Sequence, residues 1–564
     1  MRAIFRFVRH RLNPEVAGLL LAFALAMAVK AIPVITDRVP FNADEAIVAL
    51  MARHILQGER PVFFYGQTYM GSLDAFLVAG GFAIFGQQIW VIRLVQAVLY
   101  LGTLWTTYLL GKAIFGSPRS GMIAVLLLAV PVVNVALYTT VSLGGYGEAL
   151  LLGNLILLCA LRIANYSFYF SADIHTSHDN AAPSTFSIMI PVFLWSVFAG
   201  LGLWALAITM VYILPAAGLI IVRYWQNRTH IPWRLLTRLI FLGLVGFAIG
   251  TFPLWNYALH HGIAELLFET GGGAVNISQS PYFEQVIGRL LNFVLLGGTA
   301  TLGLRPPWEV LWLALPLIPF ILLFWAAVIN LTARKLRRLG RPERQFSWML
   351  IAMIGVLAAA FILTPFGNDP SGRYFLPLAL PLALFAGDAI RTYPFPKEIW
   401  RWAVVVFVMA FNGIGIIQCA LRLPPGITTQ FDLNTVVDHR YDQQLIDFLD
   451  TQGETRGFSN YWVAYPLAFL SQERLIFVPR LPYHLDLSYT PRDDRYAPYD
   501  QIVKSSSKVA YITINRGSLD SYLRSAFSRA GVQWDEKLIG DYRIYYHLSK
   551  SIQPEEIGLG LATP

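Results

Sequence analysis

The feature that most constrains this chain is a series of apolar runs, each about 20 residues long, spaced from residue 15 to residue 420. A run of that length matches the thickness of a bilayer crossed by an α-helix. A helix satisfies its own backbone hydrogen bonds, as lipid requires. The runs lie at 15–35, 90–111, 120–138, 148–164, 187–204, 206–222, 237–254, 308–331, 346–365, 374–390 and 399–420. They predict an α-helical polytopic membrane protein with about 11 transmembrane helices. Composition agrees: 56% of residues are hydrophobic and 14% charged, where soluble domains carry about 25% charged residues.

The loops between the runs set the orientation. Basic residues collect in 1–13, in Lys112 with Arg119, from Arg223 to Arg238, in "RKLRRLGRPER" (334–344) and from Arg391 to Arg401. The alternate loops carry few. Cytoplasmic loops are the basic ones, so the N-terminus is expected in the cytoplasm and everything after residue 420 outside. The net charge of +9 is thereby accounted for without nucleic acid. The 15 Trp suit interfacial belts, and the expected location is the plasma membrane. The basic "MRAIFRFVRHRLN" precedes a full-length run with no small-x-small cleavage site, so it reads as leading into a retained first span. Cys159 and Cys419 both lie in apolar runs and support neither a disulfide framework nor a Cys-rich metal site.

"SLDAFLVAGGFAIFG" (72–86) is apolar but slightly short of a span. If it crossed, every later basic loop would change side, so an interfacial or re-entrant helix is expected. The first outer loop then runs from 36 to 89. Other outer segments are 138–149, 255–307 with the Gly-rich "ETGGGAVNISQSP" (269–281), and 366–375. The cytoplasmic loop 166–186 holds His175 and His178. That spacing can serve a metal, but no third ligand is near, and a solvated loop is the simpler reading.

Hydropathy drops after residue 420, and the last 140 or so residues are of domain size. "LIDFLDTQ" (445–452) and "SLDSYLRSAFSRAG" (518–531) have helical patterns. "TRGFSNYW" (455–462), "RLIFVPR" (474–480), "KVAYITIN" (508–515) and "DYRIYYHL" (541–548) have strand patterns. The order predicts a membrane domain over 1–420 and a small extracytoplasmic α/β domain over 421–564.

Three outer loops carry charge at one membrane depth. In "FNADEAIVAL" (41–50), Asp44 and Glu45 follow the first run. A carboxylate there can be a general base, can help hold a divalent cation, or can simply favour a helix N-terminus. "GGYGEA" puts Glu148 at the start of a run, with the same choice. "GNDPSGRYFLPLALP" puts Arg373 at the outer mouth of another. Arginine at that depth needs a polar partner. It suits a phosphate through its planar fork, or else snorkels to the headgroups.

The stretch "NADEAIVALMARHILQGERPVFFYGQTYMGSLDAFLVAGGFAIFG", with "RL" at 93–94, resembles the first outer loop of the GT-C glycosyltransferases. The similarity is to the branch holding protein mannosyltransferases and the aminoarabinose lipid A transferase. "GLGLWALAITMVYILPA" (200–216) and "GRYFLPLALPLALFAG" (372–387) resemble later spans of that group. The resemblance covers roughly residues 10–420. It implies a lipid-phosphate-sugar-dependent hexosyl or pentosyl transferase acting at the outer membrane face. The donor would be a polyprenyl-phosphate-linked sugar and the acceptor a glycan, lipid or protein. It implies Asp44 as catalytic base, with Glu45 beside it, and Arg373, with Tyr374, on the lipid-linked phosphate. Lys30 would help neutralise that phosphate. Tyr65, Gln67 and Tyr69 would meet sugar hydroxyls, although outer-loop aromatics also anchor to membranes. Members of the group differ in their use of a divalent cation, which stays open. The chain departs from the pattern in its second outer loop, where Glu148 stands in place of an aspartate, and it lacks a MIR sugar-binding module. This favours an envelope enzyme of bacterial or archaeal type. A transporter or flippase using the same charges as ligands is the alternative class; internal inverted repeats would favour it.

Overall fold

A computed structural model describes residues 13–169, 186–270, 280–369, 371–422, 426–431, 435–484, 486–514 and 517–560. His175 and His178, most of the Gly-rich segment 269–281 and the basic residues before 13 lie outside the described residues.

Among the described residues, ten helices are long and apolar enough to cross a membrane. They are Pro14–Ile35, Ile89–Phe115, Tyr146–Asn165, Phe186–Ala205, Ala207–Asn227, Trp233–Gly250, Leu315–Arg338, Glu343–Leu363, Arg373–Thr392 and Glu398–Leu421. The chain is thus a polytopic helical membrane protein. The expected run 120–138 is instead two shorter helices, Pro118–Ala129 and Val133–Tyr138. The break falls at Val130-Pro131-Val132, where proline removes a donor and disfavours helix at the residue before it. The run expected at 308–331 forms its helix later, at Ile318–Arg338. That places Lys335, Arg337 and Arg338 in the last turn, where cations complement the helix dipole. Leu73–Phe85 is a helix of 13 residues, too short to span.

The chain divides into two compact units. Met1–Thr36, Tyr69–Leu73 and Leu94–Cys419 form the first; Asp37–Thr68, Asp74–Arg93 and Ala420–Pro564 form the second.

In the first unit small residues let helices approach. A Cβ on Gly250 would lie 2.4 Å from the Val197 carbonyl oxygen, and one on Gly387 would lie 2.5 Å from that of Ser120. Packing through glycine is how helices associate where lipid supplies no hydrophobic drive.

The strands are β1 (Phe63–Phe64), β2 (Gln67–Gly71), β3 (Arg456–Phe458), β4 (Ile476–Val478), β5 (Ala510–Thr513), β6 (Asp535–Ile539) and β7 (Tyr542–Tyr546). Within the second unit β4, β3, β5, β7 and β6 form one sheet in that order. β4-β3-β5 is parallel, and β7 and β6 are antiparallel additions. Its core includes Leu445, Leu449, Val463, Leu467, Phe477, Ile512 and Ile544. Two elements escape the sequence patterns. β6 is exposed along most of its length, so it lacks the alternation that marks a half-buried strand. The helix Ala497–Lys504 has only eight residues.

Candidate active site

In the second unit, Asn42 starts the helix Ala43–Gln57: its side-chain oxygen accepts from the Glu45 backbone N–H at 3.4 Å. Asp44 and Glu45 therefore occupy the first turn, where the dipole favours carboxylates. Adjacent helical residues point about 100° apart, and the two acids have different fates. Glu45 is 1% exposed. Arg93 Nε donates to its Oε1 at 3.1 Å and Arg93 Nη2 to its Oε2 at 3.0 Å. Burial pushes the Glu45 carboxyl above its usual range, and the Arg93 charge opposes this.

Asp44 is partly exposed and has no ion-pair partner among the described residues. Its Oδ1 accepts from the Tyr461 hydroxyl at 2.6 Å and its Oδ2 from the Thr429 hydroxyl at 3.1 Å. The Asn42 amide donates to Thr429 Oγ1 at 2.7 Å, which leaves the threonine proton for Asp44. Burial pushes the Tyr461 hydroxyl well above its usual range, and the Asp44 charge adds to this. A carboxylate with one donor on each oxygen keeps further lone pairs to take a proton. Close to Asp44 electrostatically, Asp493 is pushed up to about 7, chiefly by burial, against the pull of Arg495.

The acidic pair does not converge on a cation. Arg93 occupies both Glu45 oxygens, and Asp44 faces hydroxyls. No group of three or more His, Cys, Asp and Glu suited to a metal occurs among the described residues.

Tyr65 belongs to another network in the same unit. Its hydroxyl donates to Glu59 Oε2 at 2.6 Å and lies 2.9 Å from His54 Nδ1, while His54 Nε2 lies 2.9 Å from Glu473 Oε1. The Tyr65 ring stacks on Tyr496 at 4.7 Å. Burial alone would raise Glu473, but hydrogen bonds from His54 and Tyr499 and the Arg53 charge hold it at about 2. Gln67 is half-buried in β2.

In the first unit, Arg373 opens a 3₁₀ turn, Arg373–Leu378, after Gly372 at φ 86°. The turn is pinned from behind: Asn134 Nδ2 donates to the Gly372 carbonyl at 3.0 Å and the Tyr138 hydroxyl to the Ser371 carbonyl at 3.3 Å. Arg373 Nη2 pairs with Asp369 Oδ2 at 2.5 Å. The guanidinium lies 5.2 Å from the centre of the Tyr374 ring. Tyr69, Tyr146 and Tyr374 are its electrostatic neighbours. Arg373 Nε and the Tyr146 hydroxyl are buried with no partner among the described residues. Buried donors are normally satisfied, so this cluster has hydrogen bonds to offer an anionic or hydroxylated ligand.

Arg373, Tyr374 and Tyr69 are thus brought together, and Tyr146 joins them unforeseen. Its place in "GGYGEA", two residues before Glu148, was the available signal. Glu148 is buried in the first turn of the helix Tyr146–Tyr169. Lys30 is also buried in this unit. Its Nζ donates to the Thr139 carbonyl and hydroxyl, both at 2.6 Å, and lies 4.2 Å from the Tyr100 ring centre. Tyr461 and Thr429 carried no sequence signal for a site.

No protein family's sequence profile matches the chain, and no curated protein matches it in sequence. Solved structures do. ArnT from Cupriavidus metallidurans bound to undecaprenyl phosphate aligns with a TM-score of 0.56 at 13% identity, over 98% of this chain and 98% of that one. ArnT from the same organism in the apo state aligns with a TM-score of 0.56 at 13% identity, over 100% of each. The likeness shows that the chain shares the fold of these ArnT structures.

Proposed function

We propose that this GT-C-fold membrane protein is a glycosyltransferase. It moves a hexosyl or pentosyl group from a polyprenyl phosphate to a glycan, lipid or protein acceptor at the outer face of the membrane. The observation that carries the reading is the state of the acidic pair. Arg93 neutralises Glu45, while Asp44 is partly exposed and meets only hydroxyl donors. A general base needs that second environment.

The chemistry is one displacement. Asp44 takes the proton from an acceptor O–H or N–H, and the freed electron pair bonds to the anomeric carbon of the donor. The bond from that carbon to the phosphate oxygen breaks, and polyprenyl phosphate leaves with the electron pair. Arg373 supplies charge and a spare N–H to the departing phosphate. Preorganised donors of this kind each supply about 3–4 kcal/mol. In this reading Tyr146 and Tyr69, neighbours of Arg373, orient the donor. An apolar cavity in the first unit, lined by Leu127, Leu128, Val135, Ile321, Phe375 and Leu382, suits an isoprenoid tail. The ArnT of similar fold is itself bound to undecaprenyl phosphate.

The test is release of undecaprenyl phosphate by the purified full chain. Undecaprenyl-phosphate-linked mannose and aminoarabinose serve as donors, with an envelope extract as acceptor. Release that Asp44→Asn lowers about 100- to 10,000-fold is expected. No release from either donor, or equal release by Asp44→Asn, overturns the reading.

A further inference from the structure

β3 lies between two parallel neighbours, β4 and β5. The carboxyl end of such a strand is where open α/β sheets present their working groups. Here that end is tied on both sides: the Ser459 N–H donates to the Val478 carbonyl at 2.9 Å and the Ser459 hydroxyl to the Ile512 carbonyl at 2.8 Å. Asn460 then caps the helix Tyr461–Leu470 by accepting from the Val463 N–H at 3.2 Å. Tyr461 is thereby fixed at the first helical position. Its ring is held edge-on by Trp462 at 5.0 Å and Tyr465 at 5.6 Å, with the Arg495 guanidinium 5.5 Å away. The residue is 4% exposed, and its hydroxyl reaches Asp44. Thr429, oriented by Asn42, holds the other oxygen.

We infer that Tyr461 and Thr429 are positioning residues for Asp44, so that the segment after the last membrane helix completes the site where the acceptor loses its proton. The inference rests on the reading of Asp44 as base. A carboxylate that takes a proton in the transition state works only when its lone pair is held on line, within about half an ångström. Among the described residues no cationic side chain pairs with Asp44, and its backbone alone leaves the side-chain torsions free. Two hydroxyls on opposite oxygens, each backed by rigid structure, remove that freedom. Neither hydroxyl occupies all the acceptor capacity of its oxygen, so orientation is gained without blocking the proton.

The experiment measures release of undecaprenyl phosphate by the full chain, from whichever of the two donors named above wild type turns over faster. The variants are Tyr461→Phe, Thr429→Val, Thr429→Ser and Asp44→Asn, with the Tyr461→Phe/Asp44→Asn double. Tyr461→Phe is expected to lower kcat about 10- to 100-fold, the worth of a hydrogen bond to a charged group, with donor KM unchanged to within about twofold. Thr429→Val should lower kcat in the same way, and Thr429→Ser should restore it. In the Asp44→Asn background, Tyr461→Phe should add no further loss, which a merely structural role would not predict. Wild-type kcat in Tyr461→Phe, with Asp44→Asn lowered at least about 100-fold, overturns the inference alone. So does an equal loss from Tyr461→Phe in both backgrounds. Wild-type turnover in Asp44→Asn, or none by wild type on either donor, overturns the reading of the base and the inference with it. Should Tyr461→Phe fail to fold, the Thr429→Val and Thr429→Ser pair decides by the same criteria.

Discussion

Glu45 and Arg93 form a buried two-pronged ion pair, Nε to Oε1 at 3.1 Å and Nη2 to Oε2 at 3.0 Å, between a helix N-terminus and the start of a membrane helix. Arg93 Nη2 also donates to the Val39 carbonyl at 3.1 Å. Removing one partner strands the other charge, which costs about 3–5 kcal/mol. Glu45→Gln should therefore lower the apparent Tm markedly. Glu45→Leu with Arg93→Leu should cost less than Glu45→Leu alone. Thermal melts in one detergent check both.

Asp44→Asn preserves shape and keeps one oxygen to accept a hydroxyl, in place of the two that accept from Tyr461 and Thr429, and it cannot take the proton. Loss of a general base lowers rate about 100- to 10,000-fold. Turnover should fall by that amount while donor affinity and Tm stay near wild type, because the proton moves only in the transition state. Single-turnover measurements at matched protein concentration decide it.

Arg373→Ala removes both the charge and the unpartnered Nε. It should weaken binding of undecaprenyl phosphate about tenfold or more, since hydrogen bonds to charged groups contribute about 1.5–3 kcal/mol. Arg373→Lys keeps the charge without the planar fork and should fall between. Equilibrium binding of undecaprenyl phosphate to the purified chain is the measurement, and equal affinity in all three would make Arg373 a headgroup anchor.

Asp493 is held at about 7 by burial, from an ordinary value of 3.8, beside Arg495, Tyr483 and Asp44. The folded state binds the proton more tightly, so stability from this group is full below pH 4 and is lost as pH rises through 7. Asp493→Asn removes that dependence. Relative to wild type it should gain about 2–4 kcal/mol above pH 7 and little below pH 4. Apparent Tm against pH for both proteins gives the comparison. Parallel curves would contradict the assignment.

The basic loops give an orientation that exposed side chains can report. Arg338 and Ser507 are both exposed. With Cys159 and Cys419 changed to Ser, Ser507→Cys in intact cells should react with an impermeant thiol reagent. Arg338→Cys should react only after permeabilisation. The reverse pattern would invert the topology.

The sequence by itself determined the class of this protein, because run length and helical period are properties of neighbours along the chain. Apolar runs long enough to cross lipid marked a membrane protein, and the acids Asp44 and Glu45 after the first run fitted a helix start. The helix-strand order after residue 440 was also legible, except for the eight-residue helix Ala497–Lys504 and for β6, which faces solvent and so carries no alternation. Proline chemistry split the 120–138 run within three residues, which a hydropathy average conceals. What only the tertiary structure decided is which charge meets which partner. Arg93 lies 48 residues from Glu45, and Tyr461 lies 417 residues from Asp44. Residues 37–68 and 74–93 join 420–564 in one compact unit across more than 300 residues of membrane helices. Adjacent acids look alike in one dimension. Folding buries one against a cation and leaves the other to two hydroxyls, because the energy of a carboxylate depends on what surrounds it in space, and that is set by distant segments.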